Sequence, residues 1–178
     1  MPRARAADVR TRRAEGAGRG GRRKSFHDAS YGRLADAGGL ADHVAALRRL
    51  AETRPWMDLD RVGGFGHSGG GFAAARAMLD FPEVYKAGVA LSGPHDARFF
   101  NPGFVESYDG ADAPEAWART SNVDIADRLA GKPLLVHGEL DDQVRPDPSR
   151  PRAARRDVRR DVRLSRVRRT GPRDATDG

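Results

Sequence analysis

The residue of this sequence with the clearest chemical potential is Ser68, in the stretch Gly66-His67-Ser68-Gly69-Gly70. This stretch has the pattern G-x-S-x-G, in which a serine sits on a tight turn between a strand and a helix. Small residues on either side let the backbone approach closely, and amides at the start of the helix point towards a developing oxyanion. The pattern predicts Ser68 as a nucleophile and the Gly69 amide as one oxyanion donor.

A nucleophilic serine of this kind needs an acid and a histidine, which follow it along the chain in that order. Asp141 lies in the loop after an apolar segment, where the acid is expected. Asp142 is the neighbouring candidate. We therefore predict Asp141 as the acid of a catalytic triad and keep Asp142 as the alternative.

The histidine of such a triad is missing from its expected place, because no histidine follows Asp142. His137 precedes the acid, which favours a structural hydrogen-bonding role, and His95 precedes it by far more, in the wrong order. His67 is the variable position of the serine pattern, and its side chain should point away from the Ser68 hydroxyl. Without a general base a serine is a poor nucleophile, so we predict weak or no hydrolase activity.

Alternating strands and helices must position these residues. The patterns of apolar residues predict three strands and three helices, with strands near 62–66, 87–92 and 133–137 and helices near 40–54, 70–81 and 122–130. Strands that are apolar on both faces predict an α/β fold, a mostly parallel sheet covered by helices on both sides. Chemistry in such sheets gathers at the carboxyl ends of strands, where Ser68 and Asp141 both fall. Residues 97–120 are predicted to be irregular.

The charge of the chain divides it into three parts. Residues 1–24 carry a formal charge of +7, residues 25–142 carry −7, and residues 143–178 carry +7. The basic ends contain few large apolar residues, so they cannot bury enough surface to offset the entropy of ordering. We predict a globular domain over residues 25–147, with a disordered basic segment at 1–24 and a disordered Arg-rich tail at 148–178.

Composition also limits the function classes. The chain has no cysteine, which excludes disulfides, thiol catalysis and cysteine-ligated zinc. It has no apolar run of the roughly 20 residues that a membrane helix needs and no secretory signal pattern, so we expect no membrane partner and a cytoplasmic location. The basic ends could neutralise phosphates, but no aromatic residue is interleaved with the arginines of the tail for base stacking. Nucleic acid is therefore not the expected partner, and the oligomeric state is left open.

Residues 25–147 resemble the catalytic domain of the prolyl oligopeptidase and dipeptidyl peptidase IV family of serine peptidases. The resemblance rests on the stretch around Ser68, on "FPEVYKAGVALSG" after it, and on "HGELDDQV" around Asp141. It implies a partial α/β-hydrolase fold with flanking helices, a peptide substrate, and no metal or other cofactor. It also implies that Ser68 is the nucleophile and Asp141 the triad acid.

The sequence departs from this family in several places. Nothing in it resembles the family's β-propeller, or the first sheet strands and the tyrosine that serves as second oxyanion donor. The family's histidine is expected where "RAARRDVRRDVRLSRVRRTGPRDATDG" stands. The Arg, Ala, Gly and Pro bias of both ends fits a GC-rich gene read out of frame, so we hypothesise a truncated or frameshifted copy. The alternatives are another α/β-hydrolase, such as an esterase, and a basic nucleic-acid-binding protein with an inert hydrolase-like middle.

Overall fold

The computed structural model of the chain describes residues 23–138, 141–144 and 163–167, with the backbone alone described at 26–27 and 163–167. The helices are α1 (Lys24–Asp28), α2 (Leu40–Ala51), α3 (Gly69–Asp80), α4 (Pro102–Asp109) and α5 (Pro114–Arg119). The strands are β1 (Val62–His67), β2 (Tyr85–Leu91), β3 (Lys132–Gly138) and β4 (Arg163–Val167). Single 3-10 turns lie at Leu34–Asp36, Leu59–Arg61, Ala97–Phe99 and Ala126–Arg128.

The four strands form one parallel sheet in the order β1-β2-β3-β4. Phe65 of β1 pairs with Val89 of β2, which in turn pairs with Leu134 of β3. The three predicted strands and their parallel arrangement are therefore confirmed. Because all four strands run in the same direction, their carboxyl ends lie along one edge of the sheet.

The main core lies between the sheet and helices α2 and α3. Helix α3 is buried over most of its circumference, and Met78 and Ala77 are almost fully enclosed. Leu40 and Val44 of α2 pack into the same cluster. Apolar residues at helical spacing in both segments predict this burial, although α2 ends at Ala51, before the predicted end.

Within the described residues, α2, α3 and the end of α5, the helices whose contacts place them, lie on one face of the sheet. A side chain at Gly64 or Gly88 would point towards α3. The intervening residue Phe65 points the other way and is 74% exposed. The reason is topological, because right-handed crossovers between parallel strands that advance in one direction all pass over the same face.

Two further predictions differ from the structure. The helix predicted near 122–130 is only the 3-10 turn Ala126–Arg128, and residues 97–120, predicted to be irregular, contain α4 and α5. Both of these helices have a proline in the first turn, where the missing amide hydrogen costs nothing. The prolines therefore begin helices where the sequence reading treated them as turn residues.

The Arg-rich tail contains one strand that was not predicted. The expectation that residues 148–178 are disordered is wrong at Arg163–Val167, where the backbone forms β4 and pairs with β3. Such pairing uses main-chain groups, so it does not require apolar side chains. The rest of the predicted disordered segments lies outside the described residues, apart from Arg23 and Lys24. Within the described part, no helix has the length and apolar character that a membrane crossing requires.

Two glycines that face α3 from neighbouring strands should respond oppositely to an added methyl group. A Cβ at Gly64 would make ordinary contacts of 3.7 Å or more with Tyr85 and Ala74, whereas one at Gly88 would overlap the Met78 sulfur. Gly64→Ala should therefore raise the free energy of unfolding by about 0.5–1 kcal/mol, because glycine weakens a strand. Gly88→Ala should lower it by about 1–3 kcal/mol through overpacking. Urea unfolding followed by circular dichroism measures both, and a destabilised Gly64→Ala would contradict the packing described.

Candidate active site

Ser68 occupies a strained turn between β1 and α3. Its backbone angles are φ 55° and ψ −121°, a conformation that L-residues rarely adopt and that costs about 1–3 kcal/mol. Two hydrogen bonds hold it: the Ser68 amide donates to the Leu91 carbonyl at 2.9 Å, and the Phe72 amide donates to the Ser68 carbonyl at 3.0 Å. The sharp strand-to-helix turn expected from the G-x-S-x-G pattern is therefore present.

The glycines around Ser68 are not equally required. A Cβ at Gly66 would collide with the Gly70 backbone, and one at Gly71 would lie 2.5 Å from the Leu91 carbonyl oxygen. A Cβ at Gly69 or Gly70 would meet nothing within 4 Å. The close approach thus depends on the first glycine of the pattern and on Gly71, which lies outside the pattern and which the sequence reading missed.

Short hydrogen bonds join the ends of β1, β2 and β3. The Leu91 carbonyl accepts from Ser68, and the Ser92 amide donates to the Val136 carbonyl at 2.8 Å. The Ser92 hydroxyl also lies at the Asp141 carboxylate and lowers its pKa. Ser68 and Asp141 therefore lie along the same sheet edge, with the end of β2 between them. Ser92, which has a φ of 45°, was not found from the sequence because a serine at a strand end carries no distinctive pattern.

The carboxylate of Asp141 is held by its own loop. Its Oδ1 accepts from the amides of Val144 at 2.9 Å and Gln143 at 3.1 Å. The Val144 amide, followed by the Ser92 hydroxyl and the Gln143 amide, lowers the pKa of Asp141 against the opposing effect of desolvation. Asp141 is thus an anion at neutral pH in a fixed orientation, whereas the neighbouring Asp142 is exposed.

His137 is committed to the loop that carries the acid. Its Nε2 lies 2.6 Å from the Val144 carbonyl oxygen and 3.6 Å from Asp141 Oδ2. A carbonyl only accepts, so Nε2 carries a proton and donates it to Val144. This contact matches the structural role that the sequence predicts for His137.

His95 is held by Asn122. The Nδ2 atom of Asn122 lies 3.2 Å from the Phe72 carbonyl oxygen and 3.2 Å from His95 Nδ1. Because the Phe72 carbonyl can only accept, the amide nitrogen of Asn122 must face it, and the same nitrogen then donates to Nδ1. The neutral His95 ring consequently carries its proton on Nε2. Neither His95 nor His137 is set up to take a proton from Ser68 through Nε2.

A buried ion pair fixes the loop that carries His95. Asp96 is 2% exposed, and its two oxygens accept from Arg98 Nε at 2.9 Å and Arg98 NH2 at 2.6 Å. Arg98 also reaches Asp124 at 2.9 Å, and the Ser121 hydroxyl donates to Asp96. This network ties the turn after β2 to residues 121–124 and so holds both His95 and Asn122. The sequence did not predict it, because the contacts of Asp96 and Arg98 with Ser121 and Asp124 join residues that are 23 or more apart along the chain.

The pKa of Asp96 follows from two opposing effects. Burial disfavours its ionisation, but hydrogen bonds from Arg98 outweigh burial and lower the pKa. In the same network the pKa of Arg98 is raised, first by its hydrogen bond to Asp96. Across the described ranges, no group of three or more potential metal-ligating side chains lies together.

A sequence model of the prolyl oligopeptidase family matches residues 6–163. Dipeptidyl peptidase family member 2 of Caenorhabditis elegans is 30% identical over 141 residues, 77% of this chain and 17% of that protein. Venom dipeptidyl peptidase 4 of Vespa velutina is 32% identical over 111 residues, 59% of this chain and 14% of that protein. The chain thus spans less than a fifth of the length of these relatives.

Solved structures of two peptidases show the same fold. Porphyromonas gingivalis dipeptidyl peptidase 4 has a TM-score of 0.73 and 24% identity, with 86% of this chain and 22% of that chain covered. Pyrococcus horikoshii acylaminoacyl peptidase has a TM-score of 0.75 and 21% identity, with 86% and 26% covered. At these identities the likeness establishes the fold alone, a partial α/β-hydrolase fold with a parallel sheet and flanking helices.

The two outer glycines of the serine pattern provide a matched test of the turn. Gly66→Ala should destabilise the chain by about 2 kcal/mol or more, because its methyl group would collide with backbone that cannot move aside. Gly70→Ala should be neutral or stabilising by up to about 1 kcal/mol, because alanine favours a helix and its methyl group enters open space. Thermal unfolding measures both, and equal losses in the two variants would contradict the turn geometry.

Two carboxylates bound to the same guanidinium group test the buried ion pair. Asp96→Asn should lower the free energy of unfolding at pH 7 by about 2 kcal/mol, because it removes a buried charge-assisted hydrogen bond. Asp124→Asn should cost less than about 1 kcal/mol, because that pair is exposed.

The folded-state pKa values of Asp96 and Asp141 are lowered, so the stabilisation that these carboxylates give is complete above about pH 4 and is lost as the pH falls through those values. Urea unfolding measured from pH 7 to pH 2 should show that the free energy of unfolding falls less with acid in Asp96→Asn than in the parent chain. Equal pH profiles for the parent chain, Asp96→Asn and Asp124→Asn would refute this.

Proposed function

The chain belongs to the prolyl oligopeptidase family, and from this premise we propose that it is a serine peptidase domain that acts on peptides through Ser68. The observation that carries the proposal is the strained turn at Ser68, at the carboxyl end of β1 and the start of α3. Backbone strain of this kind persists where the surrounding structure holds it, and it concentrates at active sites.

The proposed chemistry follows from the positions of three groups. A base takes the Ser68 hydroxyl proton as the oxygen bonds to the peptide carbonyl carbon, and the oxyanion formed as the C=O π bond opens accepts a hydrogen bond from the Gly69 amide at the start of α3. The C–N bond then breaks, the amine leaves with that proton, and water hydrolyses the acyl-enzyme. Asp141, already anionic and fixed by its loop, is in position to orient an imidazole and to stabilise its charged form. The peptide substrate is proposed from the relatives, whose names describe dipeptidyl peptidases.

We further propose that the 178-residue chain is a weak catalyst, because no histidine follows Asp142. We propose that neither described histidine near the site serves as the general base. The Nδ1 atom of His95 accepts from Asn122, and Nε2 of His137 donates its proton to the Val144 carbonyl. Loss of a triad member leaves a residual acceleration of roughly 10³–10⁴ over water from binding and the oxyanion hole.

A change of reading frame is proposed as the origin of the basic ends. The family match extends from residue 6 to residue 163, which is wider than the range 25–147 over which the motifs show the resemblance. A frame change therefore lies before residue 6 or after residue 163, or it leaves a sequence that the family model still matches. Sequencing the coding DNA tests this directly. One continuous frame, with no alternative frame encoding family-like sequence, would refute it.

Imidazole in solution should partly replace the missing base. The substrate is alanyl-proline p-nitroanilide, and the rate is measured with and without about 50 mM imidazole at pH 7.5. We expect a rise of about tenfold, a fraction of the roughly 10²–10⁴ that a positioned base contributes. The rise requires a nucleophile, so Ser68→Ala should remain at the rate of imidazole alone.

The two proposals fail in different ways. If the chain without imidazole is already fast and Ser68→Ala abolishes that rate, a histidine within the chain serves as base and the proposed weakness is wrong. If imidazole gives the same rate with both proteins, Ser68 is not a competent nucleophile. Labelling with a fluorophosphonate probe, with and without imidazole, reports reaction at Ser68 independently of the substrate.

A further inference from the structure

The residue that follows β2 has a backbone conformation that suits glycine better than serine. Within the described residues, four non-glycine residues have a positive φ: Ala37, Ser68, Ser92 and Asp112. Ser68 is the proposed nucleophile, and Ser92 has a φ of 45°. Glycine adopts this left-handed conformation freely, whereas the Cβ of any other residue crowds the backbone. Strain of this kind points to a function of the side chain that bears it.

The backbone places Ser92 between the two reactive groups of the proposed site. The carbonyl of the preceding residue, Leu91, accepts from the Ser68 amide at 2.9 Å, and the Ser92 amide donates to the Val136 carbonyl of β3 at 2.8 Å. Asp141 lies in the loop that follows β3. Ser92 therefore has the turn of the nucleophile on one side and the loop of the acid on the other.

The hydroxyl of Ser92 lies at the carboxylate of Asp141. The acid's own loop supplies two amides, those of Gln143 and Val144, and both donate to the same oxygen, Oδ1. Two bonds to one oxygen do not by themselves fix the plane of the carboxylate, whereas a contact from a different strand end restrains it. An ionised carboxylate can only accept, so a hydroxyl is a suitable donor for this contact.

We propose that Ser92 is a positioning residue for the reaction of Ser68: its hydroxyl holds the Asp141 carboxylate in the orientation that presents it to an imidazole base. The inference rests on the proposed peptidase function, in which Asp141 orients such a base. This role accounts for the strain at Ser92. A glycine there would relax the backbone, but it would offer the carboxylate no hydroxyl.

Two variants that both remove the hydroxyl separate the strain from the function. Ser92→Ala keeps the strained conformation, whereas Ser92→Gly relieves it, so Ser92→Gly should melt about 2–4 °C above Ser92→Ala. Asp112→Gly is the matched control, because Asp112 has a φ of 53° and is exposed on the loop between α4 and α5. It relieves the same kind of strain outside the contacts described for Ser68 and Asp141.

Two readouts on the full 178-residue chain follow the acid and the reaction separately. The pKa of Asp141, measured by carbon-13 NMR of its carboxylate, should be raised in both Ser92 variants, because a contact that lowers it is lost. The second readout is the rate on alanyl-proline p-nitroanilide with about 50 mM imidazole. The imidazole-dependent part of kcat should fall about tenfold in both Ser92 variants with KM unchanged, and Asp112→Gly should match the parent chain in both readouts.

A raised Asp141 pKa and a lowered rate in Ser92→Gly and Ser92→Ala alike, with neither change in Asp112→Gly, support the proposal. An unchanged Asp141 pKa in the two Ser92 variants, or a rate equal to that of the parent chain, overturns it. A rate that follows the melting temperature, so that Ser92→Gly keeps what Ser92→Ala loses, overturns it too, because the role of Ser92 is then structural. If imidazole does not accelerate the parent chain, the proposed function fails instead, and the pKa of Asp141 alone decides whether Ser92 holds the acid.

Discussion

The close approach of β1 to the first turn of α3 is the constraint on which the rest of the structure depends. It forces Ser68 into a conformation with positive φ, and it leaves no room for side chains at Gly66 and Gly71. The same crowding extends to the end of β2, where a Cβ at Gly93 would lie 2.8 Å from the Phe72 amide nitrogen. The strain at Ser68 is therefore held by the packing of three elements rather than by the turn alone.

Local patterns in the sequence were sufficient to predict this turn and the strands around it. Glycine spacing around Ser68 and continuous apolar runs are short-range signals, and the structure confirms the strands and their parallel order. The exposure of Phe65 was not predictable from the apolar runs, because Phe65 lies in a segment that reads as a core strand although its side chain is 74% exposed. Helix α4 was missed for another reason: the sequence Asn101-Pro102-Gly103 at its start is typical of a turn, and only the structure shows that the Asn101 side chain caps the helix by accepting from the Phe104 amide.

The site was predictable to a lesser degree, because its supporting contacts join distant segments. Asp141 could be placed from the strand before it, but the Ser92 hydroxyl that holds it comes from another strand end. Asn122 and Asp96 likewise act through partners that only the fold brings together. Such polar networks follow no periodic pattern in the sequence. A single sequence therefore predicts the reactive residues, but not the residues that position them.

The contacts of Asp141 explain how its carboxylate is stabilised within the described part of the chain. A half-buried carboxylate without partners would be costly. Here the amides of Gln143 and Val144 satisfy one oxygen from within the loop, and Ser92 and His137 lie at the carboxylate as well. The carboxylate of Asp141 is thus stabilised by its own loop and by the end of β2. Because the turn at Ser68 is also held by the packing of β1, β2 and α3, the geometry of both Ser68 and Asp141 follows from contacts within the described fold.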